Sequence, residues 1–501
     1  MTGAPKRTGP MAGLVLRGAV LMVVLRMTMR AIGLVSVMVT ARLLTPADFG
    51  MIGTAAIVTG LFAVLQTIGI GEAIVRLRSL EPGHVDTAWT LNLITGVLVA
   101  MAIWSSAPLA ARLLEEPDIA GVLRWLALTP LLNALASPGT YTFIRDFAFR
   151  REFLIRVAQK IVMAASVLTM AFIMRDYWGL VWGSLIGTAL GVAFSYAMCP
   201  TLPRLTLARS ADFLGFSFWS LLTALGSYVA QVADEVAVRR IVATQVFGLY
   251  HVSRDLSRTL VSELVAPMAS ALLAGLARMQ DDPARLLRAT REAVGAGAIL
   301  ACGAGVGVAA TAQEITGLLL GPQWDGAAEF LALTAMGVAA QTLAGLHRSV
   351  LAAVNRQDLS ALLWALRAGA LVAGCTAAGA LGGARSVAAS FTAISIAMTL
   401  LDYVVIFRRL GDVRAAGQIL LRPAIAGAAM FALLSLALPP VAPLWLSAVL
   451  KVPLGALCYA GVVLGLWWAM GRPAGSETAL LLRLPGGLGA RLMAAPPPAA
   501  P

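Results

Sequence analysis

The chain has 501 residues, of which 59% are hydrophobic and only 13% are charged. Soluble domains carry about 25% charged residues, and a soluble core of this length needs a polar surface that this composition cannot supply. A soluble protein is excluded, and the chain reads as an all-α polytopic membrane protein. The net charge of +13 raises nucleic acid as a partner, but the arginines fall in short clusters between apolar runs rather than on one basic stripe. No nucleic-acid partner is expected. Cys199, Cys302, Cys375 and Cys458 lie in or at the ends of apolar runs without paired spacing, so they read as small buried residues, not as disulfides or metal ligands.

Lys6 and Arg7 precede the first apolar run. Arg26 and Arg30 interrupt that run, which continues to Thr40 without a small-residue cleavage pattern, as in an uncleaved first span. A span needs about 20 mostly apolar residues to cross a hydrocarbon core of about 30 Å. That rule yields about 14 transmembrane helices, centred on 18–41, 49–75, 87–111, 119–144, 153–173, 178–199, 213–236, 247–273, 292–312, 327–346, 359–381, 386–407, 418–438 and 443–470. With a cytoplasmic N-terminus, 23 basic residues fall on the cytoplasmic side and six on the other. That asymmetry supports an even number of spans with both termini cytoplasmic.

Between the first two runs lies Ala41-Arg42-Leu43-Leu44-Thr45-Pro46-Ala47-Asp48-Phe49-Gly50. Thr45 and Asp48 are helix-capping residue types and Pro46 suits a first helical position, so the stretch predicts a tight helix–helix turn. Arg42, Phe49 and Gly50 recur 198 residues later as Arg240, Phe247 and Gly248, again between apolar runs. An internal repeat follows, in which the second half of the chain restates the first, with halves at 1–205 and 206–412. Two additional transmembrane helices at 413–471 and a disordered, Gly- and Pro-rich cytoplasmic tail at 472–501 complete the expected layout.

Charges within spans are costly, about 2.5–3.5 kcal/mol for an arginine at the helix centre on insertion scales. Arg26 and Arg30 sit deep in the first span, on one face with Gly33, Val37 and Thr40. Glu72 is the one acid at similar depth in the second span. In the seventh, Ser217, Ser220, Thr223, Ser227, Gln231 and Asp234 share a face; in the eighth, Tyr250, Arg254, Ser257 and Arg258 do, with Asp255 and Glu263 off that stripe. Arg254 is near enough to the outer end to snorkel, and Asp234 and Glu235 are one turn from Arg239. Lys160, Arg367, Asp402, Arg422 and Lys451 lie near span ends, where snorkelling or a local ion pair is the expected role. Polar stripes at equivalent places in two halves fit a midplane site at a lobe interface, here cationic and suited to an anionic head. Arg26, Arg30, Arg254, Arg258, Gln231 and Asp234 are therefore the candidate substrate-binding residues. His84, His251 and His347 are far apart with no metal-ligand spacing, and no P-loop occurs. Neither an enzyme nor a metal or cofactor is expected.

The turn at Ala41–Gly50 resembles the signature of bacterial polysaccharide flippases, the colanic-acid-exporter-like and O-antigen-flippase-like members of the multidrug/oligosaccharidyl-lipid/polysaccharide exporter superfamily. Asp86-Thr87-Ala88-Trp89-Thr90-Leu91-Asn92, Phe247-Gly248-Leu249-Tyr250-His251-Val252-Ser253-Arg254 and Leu320-Gly321-Pro322-Gln323-Trp324 resemble further family segments. The likeness spreads over 13–410. It implies two six-helix lobes related by a pseudo-twofold, plus two C-terminal helices, in an alternating-access transporter of the bacterial inner membrane that flips an anionic, undecaprenyl-pyrophosphate-type lipid-linked oligosaccharide for polysaccharide biosynthesis. Membrane lipids, a polysaccharide polymerase and glycosyltransferases would be its partners. Two alternatives remain: a multidrug/cation antiporter of the same superfamily, which the Arg26/Arg30 pair opposes, and a non-transporting scaffold of a polysaccharide synthesis complex.

Overall fold

The computed structural model describes residues 10–66, 82–139, 149–213, 218–276, 279, 282–438, 443–471 and 477–478. These residues are helical and contain no strand, as they must where no water is at hand to satisfy an open backbone. Among the described residues, eleven helices are long and apolar enough to cross a membrane. In chain order the helices are α1 (Pro10–Leu43), α2 (Pro46–Gln66), α3 (Pro82–Leu113), α4 (Ile119–Leu126), α5 (Leu128–Ala134), α6 (Phe149–Met174), α7 (Tyr177–Met198) and α8 (Phe218–Arg239). There follow α9 (Thr244–Leu276), α10 (Pro283–Ala310), α11 (Ala312–Leu319), α12 (Ala327–Ala353), α13 (Gln357–Arg409), α14 (Val413–Ala432) and α15 (Leu444–Ala469).

Two departures from the expected spans have local causes. The fourth span is broken into α4 and α5 around Ala127, where Pro130 cannot donate a hydrogen bond back to Leu126. The eleventh and twelfth spans run together as the 53-residue α13, and Gly383, with φ of 72°, supplies the non-helical step between its halves.

The signature turn closes as its residues require. Thr45 is the N-cap of α2; its backbone N–H and hydroxyl donate to Asp48 Oδ2 at 2.8 and 2.7 Å, and the Asp48 N–H points back to the Thr45 hydroxyl at 3.4 Å. This is a capping box with aspartate at the third helical position. Asp48 Oδ1 also accepts from the Tyr177 N–H at 3.0 Å, which ties the turn to the start of α7. In the related turn, Ala243 and Val246 stand where Thr45 and Asp48 stand. Phe247 and Gly248 are buried there instead.

The chain divides into two compact units, Met1–Leu221 and Leu222–Pro501. In the first, α2, α3, α4 and α7 close around Met51, Ala55, Val99, Ile103, Val122 and Val181. The α6–α7 pair is set by glycines at four-residue spacing: a Cβ added to Gly179, Gly183 or Gly187 would lie 2.8, 2.5 or 2.9 Å from a backbone Cα of α6. Such close backbone approach is how helices associate in lipid, where burial of apolar area is no driving force. In the second unit α12 lies against α9, α10 and α13, while α14 and α15 pack on α10 around Val306, Met430, Leu434 and Tyr459. Of the predicted tail, Glu477 and Thr478 are described, and Glu477 Oε1 accepts from Arg422 Nη1 at 2.8 Å; the rest of 472–501 lies outside the described residues, as do Glu72, Ser217 and the Glu263 side chain.

Candidate functional site

The first unit carries its cations on α1. That helix has 34 residues, about 51 Å of length at 1.5 Å per residue, so Arg26 and Arg30 fall near its middle. Both side chains are exposed. One turn beyond Arg30, Gly33 leaves room for a third cation: the position of a Gly33 Cβ lies 3.8 Å from Lys160 Cε and 3.9 Å from its Nζ. Lys160 comes from α6, which packs along α1. Periodicity on α1 groups Arg26 with Arg30 but gives Lys160 only a span-end role, since nothing in its own helix points to α1. The same unit holds a cavity of about 300 Å³ whose mostly apolar lining carries the uncharged polar groups of Thr59, Gln66, Thr129, Asn133 and Ser184.

In the second unit the residues expected to line a site are partly engaged with one another. Arg254 donates to Asp234 through Nε to Oδ2 at 2.5 Å and Nη2 to Oδ1 at 3.1 Å, the two-pronged geometry that a guanidinium favours. Its Nη2 also reaches the Gln231 carbonyl at 3.3 Å, and the guanidinium lies 4.0 Å from the centre of the Phe391 ring. Tyr250 donates its hydroxyl to Asp234 Oδ2 at 2.6 Å. Arg254 is 1% exposed and Asp234 0%, so Arg254 is sealed in a neutral pair and does not snorkel. The Gln231 side chain turns along its own helix, donating to the Ser227 carbonyl at 3.1 Å. Arg258, one turn on, is half-buried: its side chain is 39% exposed, but its Nη2 is buried 3.8 Å from Glu235 without a hydrogen-bond partner among the described residues. Glu235 is buried and also meets His251 Nδ1 at 2.8 Å. Sequence reasoning misses His251, because its partner lies 16 residues away on the neighbouring helix.

Two further buried ion pairs involve residues that the sequence places near span ends, with partners that it does not indicate. Lys451 Nζ lies 2.6 Å from Glu314 Oε1, an oxygen that Ser447 also bonds at 2.6 Å, and this joins α15 to α11. Arg367 Nη2 donates to Asp402 Oδ2 at 2.6 Å and to Thr399 Oγ1 at 3.1 Å across the two halves of α13.

The chain matches a family described as "Polysaccharide biosynthesis protein" over residues 39–329. It is similar to the lipopolysaccharide biosynthesis protein WzxC of Escherichia coli (strain K12), with 21% identity over 385 residues, covering 75% of this chain and 77% of that one. It is also similar to the succinoglycan biosynthesis transport protein ExoT of Rhizobium meliloti (strain 1021), with 23% identity over 377 residues, 75% of this chain and 76% of that one. Among solved structures, the lipid II flippase MurJ in an inward closed conformation shares the fold, with a TM-score of 0.70 at 13% identity, covering 90% of this chain and all of that one.

Proposed function

The chain belongs to the polysaccharide biosynthesis protein family, and from that premise we propose that it flips a lipid-linked oligosaccharide across the bacterial inner membrane. The family match supports the pathway. The single structural observation that carries the chemistry is the cationic stripe on α1, where Arg26 and Arg30 are exposed at mid-helix and Lys160 joins them at Gly33. Three cations in an apolar helix pair are costly to insert. An anionic head such as a lipid diphosphate offsets that cost, and guanidinium groups hold such oxyanions by charge-assisted, two-pronged hydrogen bonds. Within the second unit, Arg258 and Gln231 are the residues assigned to substrate. The Arg254–Asp234 pair with Tyr250 holds α8 and α9 in register so that Arg258 and Gln231 keep their places. Removing the protein from its host tests the reading: lipid-linked oligosaccharide should accumulate on the cytoplasmic leaflet while its synthesis continues. Unchanged polysaccharide export in that strain would overturn it.

The orientation has its own check. In a variant lacking the four cysteines, single cysteines placed at Thr45, Asp118 and Gln323 should label from outside intact cells, and those at Ser210 and Asp282 should not. The reverse pattern would place both termini outside.

A further inference from the structure

The second unit buries a charged group that the proposed transport site does not use. His347 of α12 lies against both halves of α13, with its Nδ1 3.1 Å from Asp402 Oδ2, the oxygen that already accepts from Arg367. His347, Asp402 and Arg367 are each 0% exposed. Arg367 and Asp402 cancel one another, so charge balance does not call for the imidazole. Packing does not call for it either, since a phenyl ring would fill the same place beside Trp364, whose ring centre lies 5.5 Å away. Instead the ring brings a liability: Nε2 is buried and, among the described residues, has no hydrogen-bond partner, and the same is true of Asp402 Oδ1. Unpartnered buried polar atoms are uncommon and costly. An ionisable group inside a membrane domain is first of all a candidate for function.

The hydrogen bonding specifies the chemistry. With Nδ1–H donated to a carboxylate, the neutral ring keeps its lone pair at Nε2. We propose that His347 is a proton-binding site within the second unit, taking up a proton from water at Nε2 and returning it there, with Asp402 as its counter-ion. Loading changes the net charge of the Arg367–Asp402–His347 group from zero to plus one. Among the described residues, the ion pairs of the packed helices are directed elsewhere. On α9, Arg254 is directed at Asp234, and His251 and Arg258 at Glu235. On α10, Arg291 is directed at Asp412, and on α11, Glu314 at Lys451. Because the ring is sealed, exchange of the proton with water requires α12 and α13 to part, which links loading to movement of these helices. Gly383, between the halves of α13, is where the backbone already departs from the helix.

The test does not depend on the transport reading, because it reports on the ring itself. A protonated imidazole quenches a neighbouring indole, so Trp364 emission serves as the probe. The purified full chain, in nanodiscs of phosphatidylglycerol and phosphatidylethanolamine, is titrated beside Trp364→Phe, and the difference isolates the Trp364 signal from the other tryptophans. A one-proton loss of Trp364 emission is expected on acidification. It should persist in His84→Gln/His251→Gln, where His347 is the last histidine, and vanish in His347→Gln. A Trp364 signal flat over the pH range in which the protein stays folded overturns the proposal, as does a transition that survives His347→Gln or disappears with the other two histidines. Should His347→Gln fail to fold, the titration of the double variant is decisive by itself.

Discussion

Asp234→Ala should remove most of the folded protein from the membrane. The substitution strands Arg254, which is 1% exposed and has a full positive charge against Phe391. Breaking one side of a buried ion pair costs about 3–5 kcal/mol, against a total stability of about 5–15 kcal/mol for a typical domain. Tyr250 loses the acceptor of its hydroxyl in the same step, which adds about 1–3 kcal/mol. Replacing the whole group is expected to be far milder, because buried ion pairs give way to well-packed apolar side chains at little or no cost. The triple variant Asp234→Leu/Tyr250→Phe/Arg254→Met should therefore recover monodisperse protein in detergent, measured by size-exclusion chromatography and thermal unfolding. Wild-type yield and unfolding temperature in Asp234→Ala would show that Arg254 does not depend on its partner and is free to take a ligand.

Arg30→Ala is expected to act on transport and leave folding nearly intact. A diphosphate in a wet environment is partly screened, so one arginine contributes on the order of 1–3 kcal/mol. A loss of about tenfold or more in transport follows, since every 1.4 kcal/mol is a factor of about ten. Arg30→Lys should fall between, keeping the charge and losing the planar fork. Arg30→Glu should abolish transport by repulsion. Rescue of Arg30→Glu by Glu72→Arg would make this arginine a structural partner of Glu72 and remove it from the substrate site. Expression and transport measured on the same membranes separate the outcomes.

Which parts of this arrangement can be seen in the sequence follows from the range of the interactions. Thr45, Pro46 and Asp48 sit within one turn, so the capping box is readable from three residue types. The apolar runs mark the spans because lipid permits no other way to satisfy the backbone. Arg26 and Arg30 group on one face by helical period alone. The period of one helix says nothing of how its neighbour is rotated. Lys160 at Gly33, His251 at Glu235 and His347 at Asp402 are each brought together by a packing register between two helices. The Arg254–Asp234 fork shows the same limit from the other side. Both residues stand out as polar positions inside spans, and both fall on faces that read as cavity-lining. Twenty residues apart, they meet across the α8–α9 turn and neutralise one another. The break at Ala127 and the fused α13 are subtler, depending on Pro130 and on a single glycine step at Gly383.

The central claim, that this chain alone moves a lipid-linked oligosaccharide across a bilayer, is tested most directly in liposomes containing only the purified protein and a fluorescent undecaprenyl-diphosphate-linked oligosaccharide. Translocation to the opposite leaflet should run well above that in protein-free liposomes and fall about tenfold or more with Arg30→Ala. Translocation no faster than in protein-free liposomes, from protein shown to be folded, would contradict the account and leave a role in a synthesis complex without transport.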